Sequence, residues 1–140
     1  MKEFNTYLNF NGTCRQAMEF YAKCLDATDL QVMPYSAGPA DMPKEMKDTD
    51  KILHARLSKG TQVIMASDCA PGKPVQEGNN FAISINCESN KEVDTLFKAL
   101  GEKGKVLMPA QDMFWGAYFA MITDQFGINW MFNHETPKQA

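Results

Sequence analysis

The side chains best suited to chemistry are His54 and Arg56, two residues apart in the alternating segment 52–58. A period of two places both on one face of a strand, with Leu53, Ala55 and Leu57 on the other. An imidazole beside a guanidinium has two uses. The pair can orient an anionic or carbonyl group through charge-assisted hydrogen bonds. Alternatively, His54 can act as acid and base while Arg56 stabilises an enolate-like charge, as an isomerase or lyase requires. The same alternation groups Asn5, Tyr7 and Asn9 on one strand face. It groups Asn80, Ser84 and Asn86 on a second, and Asn129, Met131 and Asn133 on a third. These faces carry amides, His, Arg, Tyr and Met with few acids, a mix suited to a semi-enclosed ligand pocket. The competing interpretation is an internal hydrogen-bond network or a dimer seam. Met113, Phe114 and Trp115 precede Gly116 in a loop and can wall such a pocket. His134 is read as an exposed residue near the C-terminus.

Other catalytic signatures are missing from the sequence. There is no GxSxG, no HExxH and no glycine-rich phosphate loop. Asp112 and Asp124 fall in loops, and Asp124 reads as a turn residue rather than a base. The cysteines, Cys14, Cys24, Cys69 and Cys87, have neither CxxC spacing nor a pairing pattern, so free thiols in a reducing cytoplasm are expected. A zinc site would need tighter Cys/His spacing.

The elements that must position these residues come in two rounds. A strand over about 3–10 turns Phe4, Thr6, Leu8 and Phe10 to one side. A helix over about 13–25 buries Ala17, Phe20, Tyr21, Cys24 and Leu25. A weak strand at 28–36, interrupted by Pro34, leads to a Pro- and Asp-rich loop with room for one helical turn after Asp41. Strands at 52–58 and 62–67 follow, joined at Lys59–Gly60. After a linker at about 69–79 the order repeats. A strand over 80–87 puts Phe81, Ile83, Ile85 and Cys87 on its core face. A helix capped at Ser89 or Asn90 runs to Leu100, with Val93, Leu96 and Phe97 on its apolar stripe. Strands at 105–113, 117–123 and 128–133 complete the chain. Residues 5–25 align without a gap on 80–100, an offset of 75 residues that superposes Asn5 on Asn80, Asn11 on Asn86, Lys23 on Lys98 and Leu25 on Leu100. A repeat filling both halves means paired modules: one at about 1–68, one at about 80–134. The fold class is α+β, two tandem βαβββ modules, and a cleft between modules is where a ligand is expected.

Composition narrows the partners. At 140 residues the chain has the size of one compact domain. Its net charge of −3 and lack of a basic cluster argue against nucleic acid. The N-terminus lacks a signal-peptide pattern, and no apolar run reaches the roughly 20 residues of a membrane span.

Three stretches resemble the vicinal oxygen chelate superfamily, which contains glyoxalases, bleomycin resistance proteins and extradiol dioxygenases. They are YLNFNGTCRQAMEFYAKCLDA, ILHARLSKGTQVIMASD and MFWGAYFAMITDQFGINWMFN, spanning nearly the whole chain. More narrowly, the chain is similar to the PhnB-like branch, often labelled 3-demethylubiquinone-9 3-methyltransferase-like. The resemblance implies curved sheets closing around a cavity in a single 1–140 domain, and a homodimer. In metal-using relatives, first and last strands of each module supply four ligands, where His and Glu are expected. The matching positions here are Asn5, Asn80, Ile64 or Met65, and Met131, a poor set for a divalent ion. No glycine-rich strand–loop–helix feature for a nucleotide cofactor is present either. The expectation is thus a cofactor-free, metal-free binder of a small organic ligand with aromatic or carbonyl character. His54, Arg56, Asn5, Asn9 and Asn80 would orient the ligand, and Tyr7, Phe114, Trp115 and Met131 would pack on it. The alternatives are the isomerase or lyase above and a purely structural dimer module.

Overall fold

A computed structural model of the chain describes residues 1–136. They divide into two compact units, the first Met1–Gln76 and the second starting at Glu77. In chain order the first contains β1 (Thr6–Phe10), α1 (Cys14–Cys24), β2 (Asp29–Pro34), a 3-10 turn (Tyr35–Ala37), α2 (Lys44–Lys47), β3 (Ile52–Lys59) and β4 (Gln62–Asp68). The second contains β5 (Ile83–Asn86), α3 (Asn90–Leu100), β6 (Lys105–Met113), β7 (Ala117–Thr123) and β8 (Asn129–Glu135). Each unit folds its strands into one mixed four-stranded sheet, ordered β1-β4-β3-β2 and β5-β8-β7-β6. The first strand pairs in parallel with the last, and the other pairings are antiparallel. The architecture is therefore α+β, built from two βαβββ modules.

One helix covers one face of each sheet. Helix α1 lies against β2, β3 and β4. Its buried stripe is Cys14, Ala17, Met18 and Tyr21, the i, i+3, i+4, i+7 spacing of a single helix face. This is a rotation from the expected stripe: Phe20, Cys24 and Leu25 are only half-buried. The sheet side facing it presents Leu8, Phe10, Ile52, Ala55, Leu57 and Ala66, all buried. In the second unit α3 packs on β6, β7 and β8. It buries Val93 and Leu100 over Ala120, Ile122, Trp130 and Phe132.

Different devices start the two helices. Ser89 caps α3 by accepting the Glu92 amide at 3.0 Å, and Glu92 accepts the Glu88 amide in return at 3.3 Å. This reciprocal pair satisfies two otherwise orphaned donors. At α1, Thr13 makes no such bond. Asp68, buried at the end of β4, reaches across instead: one carboxylate oxygen accepts the Gly12 and Cys14 amides at 2.9 and 3.0 Å, the other the Ile52 amide at 2.8 Å. One side chain joins the ends of β1, α1, β3 and β4.

Several expected boundaries shift. β1 starts at Thr6, so Asn5 and Phe4 precede it, and Phe4 is 88% exposed rather than turned to the helix. The ladder ends there because Thr6 opposes Ile64, close to the β3–β4 turn. β5 is likewise short, leaving Asn80 and Phe81 ahead of it with Phe81 exposed. On β3 the register shifts: Met33 opposes His54 but Pro34 opposes Ile52. Leu53 is the extra residue of this bulge, so Ile52 rather than Leu53 joins Ala55 and Leu57 in the core. His134 is not a frayed end: it lies within β8, half-buried, with Nδ1 2.7 Å from Asn90 Oδ1 on α3.

The four cysteines are free thiols. Burial, reinforced by nearby Asp68, pushes the Cys14 thiol from 9.0 up to about 12, and burial beside Glu92 pushes Cys87 up to about 11. A folded-state value raised above the unfolded one contributes stability that is complete below about pH 9. That contribution disappears as pH rises toward about 12. Urea denaturation across this alkaline window should therefore show a steady loss of stability. Cys14→Ala should flatten the slope; an unchanged slope would mean that other groups govern alkaline unfolding.

Candidate functional site

The face of the first sheet opposite α1 carries the residues singled out by alternation. Cross-strand pairing aligns Gln31, Arg56, Met65 and Tyr7 in one row over β2, β3, β4 and β1. On the same face Met33 opposes His54 and Ser67 opposes Asn9. Pairing also decides between the two β4 positions. Met65 opposes Tyr7 and lies on the open face, whereas Ile64 opposes Thr6 and Leu57 on the helix side. Tyr7, Asn9, Gln31, Met33 and Arg56 are exposed, and His54, Met65 and Ser67 half-buried.

Within this face, Tyr7 and His54 meet. The Tyr7 hydroxyl is 3.2 Å from His54 Nδ1, and the rings are tilted with centroids 5.8 Å apart. The contact occupies one ring nitrogen and leaves Nε2 for a ligand. Arg56 lies two residues along the strand. Among the described residues the ion pair is Arg15–Glu19 on α1, and Arg56 has no carboxylate partner. The nearest acid on that face by register is Asp29, opposite Ser58, whose hydroxyl donates to it at 2.7 Å.

In the second unit, Phe114 and Trp115 cap the β6–β7 hairpin ahead of Gly116, whose φ of +87° suits glycine. Phe114 is 97% exposed and meets Trp115 edge-on, with centroids 5.2 Å apart; Trp115 packs likewise on buried Phe119 at 5.7 Å. Met131 lies between Ser84 and Met121 on the sheet face opposite α3. Asn133 opposes Asn86 on that face, but Asn129 is buried and committed: it accepts the Thr123 hydroxyl at 2.7 Å and donates to the Phe81 carbonyl at 3.3 Å. Asp124 is the expected turn residue. It accepts the Phe126 and Ile128 amides at 2.8 and 3.0 Å and the Trp130 indole at 2.8 Å. Sequence reasoning missed a polar groove of about 510 Å³ in the first unit, lined by Arg15, Gln16, Ser36, Thr49, Asp50 and Asp68 among others. It contains none of the expected site residues. The Asp68 carboxylate on its wall is already taken by backbone amides.

The model of the 3-demethylubiquinone-9 3-methyltransferase family matches residues 2–132. The chain belongs to this family. Its relative YjdN of Escherichia coli (strain K12) is 31% identical over 140 residues, covering 91% of each chain. The crystal structure of protein PA1353 from Pseudomonas aeruginosa superposes with a TM-score of 0.85 at 39% identity, over 98% of this chain and 100% of that one. A PhnB protein from Bacillus cereus shares the fold at TM-score 0.71 and 22% identity, over 95% and 99% of the chains. Solved glyoxalase/bleomycin resistance proteins share the fold of this 3-demethylubiquinone-9 3-methyltransferase family member at lower identity. Fold likeness alone assigns no reaction.

The superfamily's metal position can be tested against donors. The positions that the resemblance assigns to the ligands, Asn5, Asn80, Met65 and Met131, carry amide and thioether groups, with no imidazole, thiolate or carboxylate. Among the described residues, no group of three or more His, Cys, Asp or Glu is placed to hold an ion. Asn5 and Asn80 also lie outside the strands that would aim them. This donor set does not fit Zn²⁺, Ni²⁺ or Mg²⁺. Among the described residues no helix is long and apolar enough to cross a membrane.

Proposed function

We propose that this PhnB-like protein binds a small organic ligand of aromatic or carbonyl character without a metal, as a homodimer in the cytoplasm whose two modules form a single domain. The observation that carries this reading is the open face of the first sheet. Tyr7 contacts one ring nitrogen of His54 there, and Arg56 has no carboxylate partner among the described residues. Aimed donors on a partly apolar surface are what a binding site needs. In this proposal His54, Arg56, Asn5 and Asn9 orient the ligand and Tyr7 contacts its flat or apolar part, while Asn80, Phe114, Trp115 and Met131 are the second unit's own candidate contact residues.

Native mass spectrometry of protein purified from its own host, together with elemental analysis, tests the reading. An adduct of organic mass with well under one metal per chain is expected. Stoichiometric Zn, Ni or Fe, with stability lost on chelation, would overturn it.

The dimer rests on the strand edges. Among the described residues each sheet ends in edge strands, β1 and β2 in the first and β5 and β6 in the second, with a hydrogen-bonded strand on one side. Apolar Val106, Leu107 and Phe114 are also exposed. Analytical ultracentrifugation at micromolar concentration should give about twice the chain mass of 15.7 kDa. A single species at 15.7 kDa would exclude the dimer.

A second reading is an isomerase or lyase, favoured by the Tyr7 contact that fixes the His54 ring as an acid or base would require. Turnover that His54→Gln abolishes, with ligand affinity retained, would favour it over simple binding.

A further inference from the structure

We infer that the ligand on the first sheet's open face is an organic monocarboxylate with an apolar body, bound by Arg56 and His54 across a floor of Met33 and Met65. The inference rests on the binding reading above and narrows it to one chemical class.

The argument starts from charge. Of the side chains that strand pairing places on this face, Arg56 is the one cation, and Asp29, opposite Ser58, is the one acid. A guanidinium presents a planar fork of donors and no acceptor, which matches the two oxygens of a carboxylate. Arg56 is exposed and has no carboxylate within ion-pair distance among the described residues. Asp29, further along the face, is held by Ser58 instead.

Hydrogen bonding adds a second donor. Tyr7 Oη and His54 Nδ1 lie 3.2 Å apart, and in the tautomer whose Nδ1 accepts the hydroxyl, Nε2 presents an N–H to the ligand. His54 and Arg56 are two residues apart on one strand, about 7 Å along it, so their side chains can converge on one anionic head. A single cation with one further N–H donor suits a monoanion. A phosphate monoester, with its higher charge, calls for more cations than this face holds.

Packing selects the body of the ligand. Met33 opposes His54 and Met65 opposes Arg56, placing a thioether beside each donor. Methionine adapts to irregular apolar shapes and contacts aromatic rings favourably through sulfur. Met33 is 48% exposed on the edge strand β2 and is available to cover a ligand.

The test uses the full chain and three probes of one shape: benzoate, benzamide and benzylamine. Methionine methyl resonances are assigned by Met33→Leu and Met65→Leu and followed at millimolar probe. Benzoate is expected to shift both methyls. Arg56→Ala should weaken its binding about ten- to a hundredfold, the range of a charged hydrogen bond, and Tyr7→Phe should weaken it less. Arg56→Lys should recover part of the loss, which separates charge from folding. If benzamide binds as well as benzoate, or benzylamine binds better, the carboxylate class is overturned while the face remains a binding site. Binding of benzoate that Arg56→Ala leaves unchanged overturns the Arg56 assignment. If no probe moves either methyl, both this inference and the binding reading fail at this face.

Discussion

Replacing Asp68 by alanine is expected to remove about 3–5 kcal/mol of stability, a large part of the 5–15 kcal/mol typical of a domain. The reason is the number of groups one carboxylate serves. It accepts the Gly12, Cys14 and Ile52 amides, and it is only 3% exposed, so water cannot readily replace it. Alanine leaves three backbone donors without an acceptor at the joint of β1, α1 and β3. Asp68→Asn should cost less, about 1–3 kcal/mol, because its carbonyl can still serve one side while its NH₂ opposes a donor on the other. Urea denaturation of the two variants gives the ordering. A loss below about 1 kcal/mol for alanine would mean the helix start relaxes onto water.

Trp130→Ala should have a similar effect in the second unit, about 3–5 kcal/mol, from loss of a large buried ring and the cavity left behind. Trp130 is 1% exposed, and its indole N–H donates to Asp124 at 2.8 Å. Trp130→Phe separates the two contributions. It retains most of the apolar contact but removes the indole N–H that donates to Asp124, so about 1–2 kcal/mol is expected. Thermal unfolding should order the proteins wild type, then Phe, then Ala. Equal losses for Phe and Ala would show that the hydrogen bond, not packing, carries the effect.

Much of the architecture was legible in the residues. The internal repeat, the strands at 105–113 and 117–123, and the cap at Ser89 are local signals, and local backbone preferences decide them. Alternation likewise places Tyr7, His54 and Arg56 on one sheet face, because side-chain direction in a strand has a period of two wherever the strand is regular. The same rule failed where the strand was not regular. The bulge at Leu53 sends Ile52 inward, and Asn5, Asn80 and Phe81 fall outside strands that their own pattern would extend. A strand ends where its neighbour stops pairing, and that neighbour lies far away in sequence. The choice between Ile64 and Met65, the contact of Tyr7 with His54 and the role of Asp68 all depend on such distant pairings. Asp68 resembles any acid at the end of a strand until the fold brings the amides of Gly12 and Cys14 to its carboxylate, more than fifty residues back along the chain. Residue type and spacing settled which groups were available. Only the pairing of remote strands decided which of them meet, because hydrogen-bond register is set across the sheet and not along the chain.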